Sequence, residues 1–413
     1  MKRALKAERS PALSPQPFLP YGRQVIEDDD IAAVTAALRS DFLTTGPAVH
    51  RFEEALGKIV QAKHAVVCAN GTAALHMAAR ALNLGPGTKV VVPAITFLAT
   101  ASAPHLNGAE IIFADVDPET GLMRPQDLTE AIRRAPHVDA VFNVHLNGQC
   151  GALEEIASIA RNHGAKIVDD ACHALGTAYV ANDGHVSAIG SNAFSDLSVF
   201  SFHPVKTIAM GEGGAVTTND PETARRLERA RSHGMTRDAG DFQNTAEAFD
   251  QDGSQNPWYY ELCEPEFNWR ANDIQCALGA SQLSKLGRFV ARRRALAARY
   301  DLLFSALAPI VKPLARTKPC LPAWHLYVAR IDFKSAGNSR AQLMRALMAE
   351  GIGTQVHYFP VHRQPYYAER YATPTLVGAD RYYEQVLSLP LFASMTDDDV
   401  SRVVDVLARG LGF

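Results

Sequence analysis

The sequence holds no apolar run approaching the length of a membrane span, so no transmembrane helix is expected. Neither sign of charge prevails. The 41 lysines and arginines against 44 aspartates and glutamates leave a formal net charge of -3, which gives no overall electrostatic reason to bind nucleic acid or an acidic membrane surface. Cysteine is sparse: Cys68, Cys150, Cys172, Cys263, Cys276 and Cys320 form no Cys-x-x-Cys pair and no framework spacing. Reduced, mostly buried thiols in a cytoplasmic protein are the expected state. Residues 1–20 carry Lys2, Arg3, Lys6, Arg9 and several prolines with no apolar stretch after them, so a flexible arm is expected there and no secretory leader. Internal repeats and heptads are absent, and His357 and His362 lack the Cys or carboxylate companions a metal site would need.

What is present is the composition of a globular protein, 47% hydrophobic and 21% charged, on 413 residues, enough for one large domain and a smaller one. Strand and helix signals alternate from about residue 60 to 235. Short, largely apolar runs at 65–68, 89–93, 110–114, 140–144 and 166–169 are separated by helical stretches at 72–84, 97–107, 127–134 and 152–163. That alternation predicts an α/β fold with a mainly parallel sheet covered on both faces, in which ligands sit beyond the carboxyl ends of the strands. The large domain is placed at 21–270, with 238–255 as a long polar surface loop. Residues 271–413 are expected to form a long helix over 272–308, then a small α+β domain with strand-like 324–331 and 354–359, helical 340–350 and a final helix from Asp397. The run Arg292-Arg293-Arg294 reads as a solvated face of that long helix.

One constellation carries chemistry. Lys206 ends Phe200-Ser201-Phe202-His203-Pro204-Val205-Lys206, ahead of the glycine-rich Gly211-Glu212-Gly213-Gly214. Upstream, an apolar strand ends in Asp169-Asp170-Ala171-Cys172-His173. Pyridoxal 5'-phosphate (PLP) needs an amine for its aldehyde, a carboxylate to keep its ring nitrogen protonated, and donors for its phosphate. Lys206 supplies the first. Asp169 or Asp170 supplies the second, unless the pair only caps the next segment. Gly71 and Thr72, at a strand-to-helix turn, present backbone N–H groups and a hydroxyl to an anion, and Ser201 adds a second hydroxyl. Phe97 suits either stacking on the ring or a place in the core. His173 suits either a donor to the ring's phenolate oxygen or a packed core histidine. Cys172 reads as a small buried residue rather than a nucleophile.

Over residues 21–411 the chain resembles the DegT/DnrJ/EryC1/StrS sugar aminotransferases, of the aspartate-aminotransferase-like type I fold. The motifs are Ser40-Asp41-Phe42-Leu43-Thr44-Thr45-Gly46-Pro47, Asn70-Gly71-Thr72-Ala73-Ala74-Leu75, Asp169-Asp170-Ala171, Ser201-Phe202-His203-Pro204-x-Lys206 and Phe267-Asn268-Trp269-Arg270. The resemblance assigns Lys206 to the cofactor aldehyde, Asp170 to the ring nitrogen and His173 to the neighbourhood of the phenolate oxygen. It puts Thr72 and Ser201 on the phosphate and Phe97 against the ring. Asn268 resembles a residue that reaches the phosphate from the other subunit, which implies a homodimer with shared active sites. Arg231-Ser232-His233-Gly234-Met235-Thr236-Arg237-Asp238 and Val356-His357-Tyr358-x-Pro360-Val361-His362 resemble the branch that serves pseudaminic acid biosynthesis. The implied reaction moves the amino group of L-glutamate to C4 of a UDP-4-keto-6-deoxy-2-acetamido sugar, giving UDP-4-amino-4,6-dideoxy-N-acetyl-β-L-altrosamine. Amination of another nucleotide sugar is the alternative. A third reading, a PLP-dependent sugar dehydratase, resembles this chain with His in place of Lys206.

Overall fold

The computed structural model describes residues 17–413. Its centre is a seven-stranded sheet built from β1 (His64–Cys68), β2 (Lys89–Pro93), β3 (Glu110–Ala114), β4 (Ala140–Val144), β5 (Lys166–Asp170), β8 (Leu197–Ser201) and β9 (Gly214–Thr218). The order is β1-β9-β8-β5-β4-β2-β3, and only β9 runs against its neighbours. Helices cover both faces, which is why these strands are mainly apolar: every residue of β4 and β9 is buried. This is the α/β architecture expected from the sequence, with a smaller C-terminal α+β domain.

The first helix that matters for function, Gly71–Ala81, follows β1 after only two intervening residues, Ala69 and Asn70. Asn70 sits in extended conformation and its side chain accepts the Ala73 N–H at 2.9 Å, a standard N-cap. Ala73, Ala74, Ala78 and Ala79 are wholly buried. Their small side chains let the helix lie close to β8 and β9 and to the helix Leu98–Leu106.

Three short sheets complete the chain. Strands β6 (Ala178–Val180) and β7 (Val186–Ala188) pair with β13 (Cys320–Leu321). Strands β10 (Met235–Thr236) and β11 (Glu261–Leu262) close the stem of the 238–255 excursion. Strands β12 (Val311–Pro313), β14 (Tyr327–Ile331) and β15 (Val386–Leu389) form the C-terminal sheet, packed with the helices Leu286–Phe304, Arg340–Ala349 and Asp397–Leu411.

Several expectations need correction. The arm expected at 1–20 lies outside the described residues up to 16, and from Pro17 it is not loose. Leu19 is buried, donates its N–H to the Gly351 carbonyl and accepts from the Gly353 N–H, both at 2.8 Å. The helix expected over 272–308 is two helices, Asp273–Ser284 and Leu286–Phe304, because its halves pack on different partners: the first on the helices Asp28–Leu38 and Pro47–Val60, the second on the C-terminal domain. At the break, the Lys285 ammonium contacts Asp29 and Asp30 at 2.6 and 2.7 Å. The 238–255 excursion has a kernel of its own, with Phe242 buried against Phe249 and Tyr259 and a short helix at Thr245–Ala248. Residues 354–359 form no strand beyond one bridge from Gln355 to Ser388. The arginine run is a solvated face only in part: Arg294 is exposed and Arg292 half-buried, but Arg293 turns inward. Arg293 is wholly buried, and its Nη1 donates to the carbonyls of Trp324, His325 and Leu391 at 3.3, 3.1 and 2.9 Å.

Candidate active site

The carboxyl ends of β1, β2, β4, β5 and β8 open into a cavity of about 850 Å³. Gly71, Thr72, Phe97, Asp170, His173, Ser201 and Lys206 all line it, so seven of the eight residues singled out above meet in one place. Asn268 does not. It is exposed, its side chain accepts the Arg270 N–H at 3.2 Å, and only its neighbour Trp269 reaches the cavity wall.

Each position follows from local structure. Side chains alternate along β5, so Asp169 and Asp170 face opposite sides of the sheet. Asp170 turns to the cavity, where it accepts the Thr100 hydroxyl at 2.6 Å and the Cys172 N–H at 3.1 Å. Thr100 is itself bonded to Thr96 at 2.8 Å. Asp169 turns the other way, to Asn143 at 3.2 Å and His145 at 3.3 Å. The structure thus separates two carboxylates that composition could not.

Lys206 closes a turn after β8, its N–H donating to the His203 carbonyl at 2.8 Å. It is half-buried overall with its amine inside the cavity, and burial lowers its pKa from the usual lysine value against the opposing pull of Cys172 and Asp170. Burial pushes the Cys172 thiol well up, in keeping with an inert packing role. Phe97 is 54% exposed, which removes the core reading and leaves its ring facing the cavity.

The cradle between β1 and β8 fits a phosphate. A Cβ on Gly71 would stand 2.9 Å from Ser201 Cβ and 3.4 Å from Cys172 Sγ, and one on Gly214 would stand 2.3 Å from the Asn70 carbonyl oxygen. Only glycine permits backbones this close. The approach gathers the helix N-terminus with the Thr72 and Ser201 hydroxyls, donors that match an anionic group. An amine, a carboxylate fixed by two donors and an anion cradle in one cavity are what PLP requires.

The profile of the DegT/DnrJ/EryC1/StrS aminotransferase family matches residues 24–408. The chain belongs to that family. The Bacillus subtilis (strain 168) spore coat polysaccharide biosynthesis protein SpsC is 38% identical over 393 residues, spanning 94% of this chain and 96% of its own. Among solved structures, Helicobacter pylori PseC, an aminotransferase involved in the biosynthesis of pseudoaminic acid, superposes with a TM-score of 0.85 at 28% identity, over 95% of this chain and 99% of that one. A Streptococcus pneumoniae protein solved in its PLP-form superposes with a TM-score of 0.83 at 26% identity, over 95% and 98%. The protein is a PLP-dependent sugar aminotransferase, and its cavity fits that cofactor.

Sequence reasoning gave no role to several wall residues. Thr96, Thr100, Trp269, His325, His357 and Tyr358 also line the cavity. Burial holds His173, His325 and His357 below the usual imidazole value, His357 at about 3, and Lys206 adds to the effect on each. All three are therefore neutral. A signal existed for three of the wall residues, since Trp269, His357 and Tyr358 lie in stretches that carried the family resemblance. No helix among the described residues is long and apolar enough to cross a membrane.

Proposed function

We propose that the enzyme transfers the amino group of L-glutamate to C4 of a UDP-4-keto-6-deoxy-2-acetamido sugar, giving UDP-4-amino-4,6-dideoxy-N-acetyl-β-L-altrosamine for pseudaminic acid. The likeness to PseC over nearly the whole of both chains carries this reading, together with the stretch 356–362 that resembles the pseudaminic acid branch and whose residues 356–359 line the cavity. When bound, PLP supplies an aldehyde to carry the amino group and a ring that accepts the electron pair left when the substrate carbon loses its proton. Asp170, fixed by Thr100 and the Cys172 N–H, keeps the ring nitrogen protonated. Lys206 is the amine for the aldehyde, and its Nζ, once released, takes the proton from the substrate carbon and returns it. Burial keeps that amine closer to its neutral, proton-accepting form. Gly71, Thr72 and Ser201 would hold the cofactor's phosphate, and Phe97 would pack on its ring.

The working unit in this reading is a homodimer, with Asn268 of each protomer completing the phosphate site of its partner. Three observations support it. Asn268 lies outside its own chain's cavity, Phe267 beside it is 61% exposed, and Phe42 and Leu43 are exposed on the loop that joins residue 273 through the Asp273 N–H to the Leu43 carbonyl. A second substrate reading, a different 4-keto nucleotide sugar, is supported by the 38% identity to SpsC, a protein of spore coat polysaccharide biosynthesis. Purified enzyme incubated with glutamate and a panel of 4-keto UDP- and dTDP-sugars decides between them, with products identified by NMR. Preference for the UDP-2-acetamido sugar is expected. Preference for a dTDP-sugar would establish the second reading, and no amination of any sugar would sink both.

A further inference from the structure

Behind the cavity wall lies a chain of hydrogen bonds that fixes where one proton points. The turn Leu146–Gly148 after β4 holds Asn147 in left-handed conformation, φ 62°, a region asparagine tolerates. A Cβ on the next residue, Gly148, would stand 3.0 Å from the His173 carbonyl oxygen and from the Trp324 and His325 nitrogens, so the turn is wedged against the site. That geometry aims the Asn147 N–H at His173 Nδ1, 3.2 Å away. On the far side of the same imidazole, Nε2 lies 3.2 Å from Tyr358 Oη.

The proton count follows. His173 is neutral and carries one N–H. Nδ1 must be bare to accept from Asn147, so the hydrogen is on Nε2 and is donated to Tyr358 Oη. The Tyr358 hydroxyl is protonated too, its pKa raised well above the usual phenol value first by burial and then by Asp170. With its oxygen accepting from His173, the Tyr358 hydrogen has no acceptor within hydrogen-bond distance among the described residues. The ring lies on the cavity wall, 6.0 Å between centroids from Phe97. The titratable groups facing this pair are Asp170 and Cys172 after β5, Lys206 after β8, Tyr21 from the N-terminal segment, Tyr382 from the helix Val377–Gln385, and the neighbours His357 and His325.

We propose that Tyr358, not His173, is the side chain that donates a hydrogen bond to an electron-rich oxygen in the cavity, and that His173 is the positioning residue that turns the hydroxyl inward. Two occupants carry such an oxygen: the cofactor, at its phenolate, and the sugar, at its keto group. The sugar arm rests on the substrate reading above, whereas the cofactor arm needs no sugar and stands whatever the substrate proves to be.

The test uses holoenzyme. Tyr358→Phe removes the hydroxyl and keeps the ring against Phe97. If the target is the phenolate, losing its donor makes that oxygen more basic. The pH midpoint at which the resting enzyme's visible absorption band titrates then rises by about one unit or more. If the target is the keto group, the midpoint stays and kcat/KM falls in the sugar half-reaction but not in the glutamate half-reaction. In either case His173→Leu reproduces the change, and the double variant goes no further than the singles, because the two residues act as one unit. His173→Gln, whose amide can restore an N–H toward Tyr358, recovers most of it. A Tyr358→Phe enzyme with wild-type midpoint and wild-type half-reactions would overturn the proposal. So would a His173→Leu effect that Tyr358→Phe lacks, which would make His173 itself the donor.

Discussion

At the scale of single residues, the depressed pKa of Lys206 has a consequence for stability. In the folded, cofactor-free protein the amine titrates below the usual lysine value because burial disfavours its charge. Between the folded and unfolded pKa values the unfolded chain binds the extra proton, so stability rises with pH across that window. Lys206→Met should therefore melt higher than the wild-type cofactor-free protein at neutral pH, and the gap should narrow as the pH approaches the ordinary lysine value. A gap that widened with pH would mean that Asp170 and Cys172 outweigh burial. The two adjacent aspartates make a second residue-scale case. Asp170→Asn should leave cofactor binding partly intact and cripple turnover, because an amide no longer holds the ring proton. Asp169→Asn touches only His145 and Asn143 on the far face, so its main cost should be about 1–3 kcal/mol of stability. Turnover and melting curves of both variants check this, and reversed effects would refute the placement. Lys206 and Asp170 were legible in the sequence because each lies in a compact local motif. Thr100 was not, since it acts through a partner 70 residues away in the chain, and Tyr358 showed only as part of a family-like stretch with no role, its partner being 185 residues away.

At the scale of elements, the site depends on two backbones approaching where β1 and β8 end. Gly71→Ala would drive a Cβ into Ser201, a strain of about 1–3 kcal/mol, and should raise the Kd for PLP about tenfold. Fluorescence titration of the cofactor-free variant measures this, and an unchanged Kd would show that the cradle gives way freely. The buried strands of the central sheet and the helices between them were readable because each has one period and clear stops. The elements that escaped are governed by packing between distant segments. Residues 354–359 have strand-like composition, but they are drawn to the cavity wall rather than into a ladder. The break at Lys285 carries no proline, and its one nearby glycine, Gly287, falls inside the second helix rather than at the break. It exists because three carboxylates from another helix and its cap, Glu27, Asp29 and Asp30, meet the Lys285 ammonium there.

For the whole molecule, the position of Asn268 outside its own cavity makes the dimer testable by complementation. Lys206→Ala and Asn268→Asp should each be inactive alone, the second by placing a carboxylate against the cofactor phosphate. Co-refolded at equal amounts, they should regain about a quarter of wild-type activity, since half the dimers are mixed and one of their two sites is intact. No recovery in mixed dimers confirmed by mass spectrometry would confine Asn268 to its own chain. Arg293 bears on the molecule as a whole in a different way. Its guanidinium, whose pKa burial pushes down to about 10, faces no carboxylate among the described residues. It is held by the carbonyls of Trp324, His325 and Leu391, and its Nη2 lies 3.5 Å from the Lys206 carbonyl. The loop bearing the reactive amine is thus tied to the segments that flank the C-terminal strands β14 and β15, through a charge that cannot be exposed to water piecemeal. Heat cannot loosen one without the other. Colour, which reports the lysine–cofactor bond, and the helical signal of the C-terminal domain should vanish in one cooperative transition.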